Sequence, residues 1–197
     1  MSGFADATFL KSAHESRQFV ADEGLEVAFA GRSNAGKSSA INAITNRRHL
    51  ARTSKSPGRT QLVNFFLLEH GRRLVDLPGY GYARVPQTIR EHWRGLMDAY
   101  FETRNSLRGL VLVVDARRGL GDLDRQMVCW SSRQQRHTLI LLTKADKLKR
   151  GAATNVLYAT EREMAGKADV MLFSAVRTDG VEAARGWLQA MFESTPG

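Results

Sequence analysis

Apolar residues are spaced along this chain in two different ways. Short runs that are almost wholly apolar have the length of buried β-strands, and between them lie longer segments whose apolar residues recur every three to four positions, as in helices. The runs that predict strands are Leu25 to Ala30, Gln61 to Leu68, Arg73 to Asp76, Gly109 to Asp115, Thr138 to Thr143 and Val170 to Phe173. The segments that predict helices are Ser38 to Asn46, Thr88 to Thr103, Asp122 to Gln134, Ala152 to Ala165 and Gly180 to Phe192.

The order of these elements predicts the fold class. Continuous apolar strands that alternate with helices are typical of a mostly parallel sheet that is covered on both faces. The second and third strands are joined by a tight turn at Glu69 to Gly71, so this pair is predicted to be antiparallel. We therefore expect a three-layer α/β fold whose six-stranded sheet is mostly parallel, with one antiparallel strand and helices on both faces.

The length and composition of the chain suit one domain with a single large core. It has 197 residues, of which 43% are hydrophobic and 25% are charged. We expect a single domain over residues 1–197, in which residues 1–22 are an extension that packs on or joins the core and residues 193–197 are a short tail. The longest stretches without a regular pattern, Arg47 to Thr60 and Leu77 to Gln87, are the expected functional loops.

The loop between the first strand and the first helix carries the clearest chemical signal, because it fits the phosphate-binding pattern G-x4-G-K-[ST]. Its glycines let several backbone N–H groups point at one phosphate cluster, and the helix N-terminus adds partial positive charge. Lys37 is expected to bridge the β- and γ-phosphates, and the Ser38 hydroxyl to bind Mg²⁺. The residues of this loop that are expected to contact a nucleotide are Gly31, Arg32, Ser33, Asn34, Ala35, Gly36, Lys37, Ser38 and Ser39.

The segment Asp76-Leu77-Pro78-Gly79 ends an apolar strand and follows the phosphate loop. Asp76 stands where an aspartate that holds Mg²⁺, directly or through water, belongs. The backbone N–H of Gly79 can reach a γ-phosphate. We expect all four residues of this segment to lie at the nucleotide.

A further segment, Pro57-Gly58-Arg59-Thr60, lies between these two motifs. Its Thr60 can complete the Mg²⁺ shell and touch the γ-phosphate, a contact that orders a switch loop in the triphosphate state and releases it on hydrolysis. Thr53 is an alternative for this role. Lys37, Thr60 and Gly79 are therefore the predicted catalytic residues, and Ser38 and Thr60 the predicted direct metal ligands.

Two segments near the end of the chain predict recognition of the base. In Thr143-Lys144-Ala145-Asp146, the carboxylate of Asp146 can accept hydrogen bonds from N1–H and the N2 amino group of guanine. Adenine has neither donor, so this motif predicts GTP rather than ATP. The alkyl stem of Lys144 can lie on the base plane. In Phe173-Ser174-Ala175, the small side chains of the last two residues let a backbone N–H approach guanine O6.

The chain resembles the EngB (YihA) family of bacterial ribosome-assembly GTPases. The resemblance runs from about Phe9 to Phe192 and depends on five motifs in the family's order: GRSNAGKS, SPGRT, DLPGYGYA, TKADK and FSA. It implies a Ras-like fold, binding of GTP and Mg²⁺, a role in maturing the large ribosomal subunit, and the family's link to septation and the cell cycle. It also implies that the residues named above contact the nucleotide or its metal.

The rate of hydrolysis is expected to be slow. Ras-type enzymes place a glutamine just after D-x-x-G to orient the attacking water, and this chain has Tyr80 there. Asn34 can help to coordinate K⁺ beside the phosphates, or it is simply a residue that suits a tight turn. Arg59 can act as an internal arginine finger, or it belongs to a basic surface.

The net charge of +9, with a pI near 10.2, favours a polyanionic partner. The window from Arg47 to Arg94 holds ten Lys or Arg and three acids, so it carries +7 of this charge. The window overlaps both predicted switch loops and contains aromatic residues, a combination that suits an RNA surface. The residues of this predicted rRNA-binding surface are Arg47, Arg48, Arg52, Lys55, Arg59, Arg84, Arg90 and Arg94. A general solvated face is the alternative, and packing within a helix is the favoured interpretation of Trp93 and Tyr100.

We expect a cytoplasmic protein with neither a membrane nor DNA as partner, and we take a monomer as the default. No apolar run approaches the roughly 20 residues that span a bilayer, and the lone Cys129, predicted to be buried or half-buried, suits a reducing compartment. The alternatives are a nucleotide-gated binding module without turnover, a GTPase of tRNA modification or membrane traffic, and an ATPase or small-molecule kinase. Asp146 argues against the last.

Overall fold

The structure, a computed structural model, describes residues 3–52, 62–81 and 87–193, without the side chain of Arg90. The strands are β1 (Thr8–Ala13), β2 (Leu25–Gly31), β3 (Val63–Leu67), β4 (Arg72–Asp76), β5 (Leu107–Asp115), β6 (His137–Thr143) and β7 (Asp169–Leu172). The α-helices are α1 (Lys37–Ile44), α2 (Gln87–Thr103), α3 (Asp122–Arg133), α4 (Arg150–Glu163) and α5 (Val181–Glu193). Each predicted strand and helix is present within a few residues of its predicted bounds.

The described residues form one sheet with the strand order β1-β3-β4-β2-β5-β6-β7. β3 is antiparallel to β1 and β4, and every other neighbouring pair is parallel. The predicted three-layer α/β architecture is confirmed, but the sheet has seven strands where six were predicted. The additional strand, β1, comes from the N-terminal extension, and its residues from Thr8 to Lys11 are exposed. Because β1 has almost no buried face, its sequence lacks the pattern on which the prediction of strands depends.

The two faces of the sheet are covered by different helices, and the strands show this by strict alternation. Along β2, Val27 and Phe29 pack with α1 and α5, whereas Ala28 and Ala30 pack on the opposite face with α2 and α3. The central strands are buried on both faces, as parallel strands between two helix layers must be. This is why their sequences are continuous apolar runs.

A buried ionic cluster closes the amino-terminal edge of the sheet. The carboxylate of Glu26, which has no exposed surface, accepts bonds from Tyr100 Oη at 2.9 Å and from Arg104 Nη2 at 2.5 Å, and Arg73 Nε lies 2.9 Å from it. Arg104 also donates to the carbonyl of Val20 at 2.7 Å. The cluster therefore fixes the segment after β1 against β2 and α2, far from the carboxyl ends of the strands.

Three further expectations concern the helices. Trp93 and Tyr100 are 5% and 0% exposed, so packing within the core is confirmed for both. Cys129 is exposed on α3, so its predicted burial is wrong: its neighbour Val128 is the position that faces the core. Within the described ranges, no helix combines the length and the apolar character that crossing a membrane requires.

Candidate functional site

The predicted motifs meet at the carboxyl edge of the parallel strands. Gly31 ends β2, Asp76 ends β4, Thr143 ends β6, and Phe173 follows β7. Ligands of open α/β sheets bind at this edge, because the loops that leave the strands converge there. The fold thus brings together four segments that are spread over more than 140 residues of the sequence.

The phosphate loop takes its shape from two glycines. A Cβ atom on Gly31 would lie 2.5 Å from the carbonyl oxygen of Val113 on β5, so this position accepts no side chain. Gly36 has φ +103°, a conformation that other residues rarely adopt, and it leads directly into α1. Asn34 has φ 64°, which confirms that its residue type suits the turn.

The guanine-motif segment also holds the phosphate loop in place. The Thr143 hydroxyl contacts the carbonyl of Ala35 and lies 3.0 Å from that of Val114, and Lys144 Nζ donates to the carbonyl of Asn34 at 2.6 Å. Two consecutive residues of one motif therefore bind two consecutive carbonyls of the other. These contacts were not predicted, since sequence motifs carry no information on which backbone groups they face.

Asp146 is held as an ionised acceptor. Its carboxylate receives a bond from the Ser174 hydroxyl at 2.7 Å, and the Ser174 oxygen in turn accepts one from the backbone N–H of Arg177 at 3.1 Å. The bond from Ser174 lowers the pKa of Asp146 and outweighs the effect of burial, with Lys147 adding to the decrease. An ionised carboxylate only accepts hydrogen bonds, which suits the two N–H donors of guanine. Ser174 was singled out in the sequence for its small size. In the structure its hydroxyl also orients Asp146.

Asp76 and Lys37 form a buried ion pair between β4 and α1. Their side chains are 2% and 8% exposed, and the Lys37 ammonium contacts Asp76 Oδ1. Ser38, the next residue of α1, is half-buried. The residues predicted for the phosphates and for the metal therefore lie in contact, although they are 39 positions apart.

The segment after Asp76 returns across the phosphate loop. Ser33 N donates to the carbonyl of Tyr80 at 2.9 Å, and Tyr80 N donates to that of Gly31 at 3.3 Å. Gly79 lies so close that a Cβ atom there would be 3.1 Å from the Ser33 hydroxyl. The residue that follows D-x-x-G is therefore bonded directly to the phosphate loop.

The side chain of Tyr80 reaches α3. Its hydroxyl donates to Asp124 Oδ1 at 2.6 Å, and the other oxygen of Asp124, which is 1% exposed, accepts from the backbone N–H of Gly121 at 2.8 Å. Burial raises the pKa of Tyr80 well above its ordinary value, and Asp124 raises it further. Asp124 was missed in the sequence, where it is one of several acids at a helix start.

Some predicted site residues have side chains buried in the core or lie outside the described ranges. The side chains of Leu77 and Phe173 have no exposed surface and belong to the two halves of the core. Pro57, Gly58, Arg59, Thr60 and the alternative Thr53 lie outside the described residues. Pro78, Ala145 and Ala175 lie at the edge itself, each half-buried or buried.

The basic window separates into a structural part and an exposed part. Arg73 belongs to the buried Glu26 cluster, and Arg72 is half-buried with its guanidinium over the ring of Phe192. Of the arginines predicted to bind RNA, four are exposed: Arg47, Arg48, Arg52 and Arg94. Lys55, Arg59, Arg84 and the side chain of Arg90 lie outside the described part of the chain.

Comparisons with known proteins agree with this geometry. Residues 26–144 match the model of a family described as 50S ribosome-binding GTPase. A probable GTP-binding protein EngB from Nitrosococcus oceani is 52% identical over 188 residues, which are 94% of each chain. The corresponding protein of Klebsiella pneumoniae is 49% identical over 191 residues, 95% of this chain and 91% of that one.

The solved structures extend the agreement to the fold. The crystal structure of a probable GTP-binding protein engB has a TM-score of 0.67 and 22% identity, and the match covers 85% of this chain and 98% of that one. The Era protein of Aquifex aeolicus bound to GDP and aluminium fluoride has a TM-score of 0.66 at 14% identity, over 87% of this chain and 57% of that one. With sequence identity near one half over almost the full length of its relatives and the nucleotide motifs gathered at one edge of a Ras-like sheet, the chain belongs to the EngB family of GTP-binding proteins, which are P-loop GTPases.

Proposed function

We propose that this GTPase is a nucleotide-dependent switch in the assembly of the large ribosomal subunit, that it hydrolyses GTP slowly on its own, and that its basic switch region contacts rRNA. The bond from Tyr80 to Asp124 carries the argument for slow hydrolysis. The residue that stands where Ras-type enzymes have their water-orienting glutamine is turned toward α3 instead. The family description as ribosome-binding supports the ribosomal role.

The proposed nucleotide contacts follow the carboxyl edge of the sheet. Backbone N–H groups of residues 31–39 surround the phosphates, Lys37 bridges two of them, and Gly79 donates to the γ-phosphate. Asp146 reads guanine and Lys144 covers its plane, with Ser174 and Ala175 near O6. The segment from Pro57 to Thr60 completes the site in this proposal.

Mg²⁺ fits the oxygen donors that this edge presents. The side chain of Asp76 is 2% exposed and already paired with a cation, Lys37, and the Ser38 hydroxyl lies in the first turn of the adjacent helix α1. Hydroxyl and carboxylate oxygens are the ligands that Mg²⁺ prefers. We propose Ser38 and Thr60 as direct ligands, with Asp76 binding directly or through water. When bound, the ion neutralises charge that develops on the β- and γ-phosphates.

The slow rate and its control are tested together by single-turnover hydrolysis with the purified protein. We expect slow phosphate release from the protein alone and faster release when precursor particles of the large subunit are added. A fast rate that these particles leave unchanged would contradict the proposal. Negligible release in both conditions would favour a binding module that responds to GTP without turnover.

The rRNA surface is tested by co-sedimentation with large-subunit particles under GDP, a GTP analogue and no nucleotide, each at two salt concentrations. We expect binding that is strongest with the analogue and weakens as salt rises, since phosphate contacts release counterions. A variant with Arg47, Arg48 and Arg52 changed to Gln should bind less, whereas its matched control loses three exposed charges elsewhere, at Arg133, Arg162 and Lys167. Equal binding by the two variants would refute the assignment of the surface.

A monovalent cation is the finer part of the proposal, and it concerns Asn34. The exposed side chain of this residue lies in the phosphate loop, as K⁺ coordination beside the phosphates would require. Hydrolysis rates are compared in K⁺ and Na⁺, with and without Asn34→Ala. Equal rates in both salts rule out the cation and leave Asn34 as a turn residue.

We also infer that the protein is a monomer in the cytoplasm. In that reducing compartment its exposed Cys129 stays reduced.

A further inference from the structure

A buried acid at the nucleotide edge belongs to none of the nucleotide motifs. Asp115 is the last residue of β5 and is 6% exposed. In the parallel register of β5 and β6 it stands beside Thr143, so the residue that follows its partner is Lys144. The strand pairing thus places a carboxylate next to the lysine of the guanine motif.

Two acceptors hold the ammonium of Lys144. Lys144 Nζ lies 2.9 Å from Asp115 Oδ2 and 2.6 Å from the carbonyl oxygen of Asn34 in the phosphate loop. The backbone of Lys144 is itself fixed in a left-handed conformation, with φ 58°. Both ends of this long side chain are therefore restrained, although 31% of it is exposed.

Asp115 is in turn fixed by Arg117. The Arg117 guanidinium donates to both carboxylate oxygens, from Nε at 2.9 Å and from Nη2 at 2.7 Å, and its backbone N–H donates at 3.1 Å. Burial raises the pKa of Asp115, but the bonds from Arg117 and Lys144 outweigh it and hold that pKa well below its usual range. The carboxylate is therefore fully ionised at neutral pH.

We propose that Asp115 is a positioning residue of the guanine site: it holds the Lys144 ammonium against the phosphate loop, so that the alkyl stem of Lys144 lies across the base. A free lysine side chain has four rotatable bonds, and fixing it costs conformational entropy. Asp115 removes most of that freedom before the nucleotide arrives. This inference rests on the proposed nucleotide site, in which Lys144 covers the base.

The test is a double-mutant cycle on GDP release, measured with Asp115→Asn, Lys144→Ala and the double variant. Asp115→Asn keeps the shape but removes the charge from a charge-assisted bond, so we expect GDP release to become about tenfold faster. In the Lys144→Ala background the same change should have little effect. The preference for GDP over IDP, which lacks the N2 amino group, should stay unchanged in Asp115→Asn, because Asp146 reads that group.

Each outcome decides between positioning and simple loss of structure. Tenfold faster release in both backgrounds, or a lost preference for GDP over IDP, would overturn the proposal, because Asp115 would then support the fold. Unchanged release in Asp115→Asn alone would overturn it while leaving the nucleotide site intact, whereas unchanged release in Lys144→Ala would count against the proposed site as well. Glu163→Gln, which removes an exposed carboxylate from Arg125, is the control. Should Asp115→Asn fail to fold, Asp115→Ser keeps the local turn to the Arg117 N–H and carries the same expectation.

Discussion

The bond between Tyr80 and Asp124 is tested by removing one oxygen atom. Tyr80→Phe keeps the ring and deletes the hydroxyl that donates at 2.6 Å, so Asp124 Oδ1, on a carboxylate 1% exposed, loses its partner. A hydrogen bond to a charged group stabilises by about 1.5–3 kcal/mol, and we take about 2 kcal/mol here because the Gly121 N–H still binds the other oxygen. For a chain of this length that corresponds to a decrease in Tm of about 4–8 °C.

Two assays follow from this estimate. Thermal unfolding should show the lower Tm, and Tyr158→Phe is the matched control, since that ring is 64% exposed and its change should stay within about 0.5 kcal/mol. Single-turnover GTP hydrolysis should change less than about twofold in Tyr80→Phe, well below the tenfold that 1.4 kcal/mol of lost transition-state stabilisation would produce. Because the hydroxyl of Tyr80 is bonded to Asp124 on α3, we expect it not to act on the attacking water.

The pH dependence gives an independent check. The pKa of Tyr80 lies well above the ordinary value of 10.0, because of burial and then because of Asp124. The folded protein keeps this phenol proton where the unfolded chain loses it, so the contribution of Tyr80 is complete below pH 10 and is lost as the pH rises above it. The difference in stability between the native protein and Tyr80→Phe should therefore shrink above pH 10. An unchanged Tm in Tyr80→Phe, or hydrolysis slowed tenfold or more, would refute this reasoning.

Three further predictions concern the framework around the site. Glu26→Ala should cost about 3–5 kcal/mol in urea unfolding because it removes the buried carboxylate that Arg73 and Arg104 share, while Glu163→Ala, at an exposed pair, should cost at most about 1 kcal/mol. Burial raises the pKa of Asp22, but hydrogen bonds led by Ser106 lower it to about 2, so Asp22 stabilises the fold above pH 4 and this contribution is lost as the pH falls to 2. In Asp22→Asn the free energy of unfolding should fall less between pH 4 and pH 2 than in the native protein. An equal fall in both proteins would contradict the lowered pKa of Asp22. Gly36→Ala should cost about 1–3 kcal/mol and weaken GDP binding measured by titration, because φ +103° is strained for alanine.

The sequence predicted most of the fold because the central strands are buried on both faces. Continuous apolar runs between amphipathic segments leave few arrangements other than a parallel sheet between helix layers. β1 was not predicted, for the opposite reason. Phe9 is 56% exposed and Leu10 is 42% exposed, so the apolar residues of this edge strand do not alternate between a buried and an exposed face. Its place is set by pairing with β3, and backbone pairing leaves no mark on the side-chain pattern.

The site was predictable where chemistry fixes both residue type and spacing. Phosphate, guanine and metal each require particular atoms, and so the residues that serve them form short motifs. Asp115 and Asp124 act on other side chains rather than on the ligand, and their partners, Lys144 and Tyr80, are 29 and 44 positions away. The sequence analysis did not single out Asp115, and the signal that could have found it is an acid that closes an apolar strand. Only the strand order shows that Lys144 is the residue it meets.

This arrangement links the recognition of the base to the shape of the phosphate loop. Thr143 and Lys144 bind the carbonyls of Ala35 and Asn34, and Asp146, two residues further on, is fixed by Ser174. Only Ala145 separates Lys144 from Asp146, so the residues that bind the phosphate loop and the residue proposed to read guanine belong to one short segment. Since Lys144 is also bound to Asp115, the end of β5 anchors both motifs to the rigid centre of the sheet. Variants of Thr143 are thus expected to change both the selectivity for guanine and the affinity for the phosphates. Variants of Ser174 are expected to change the selectivity for guanine alone.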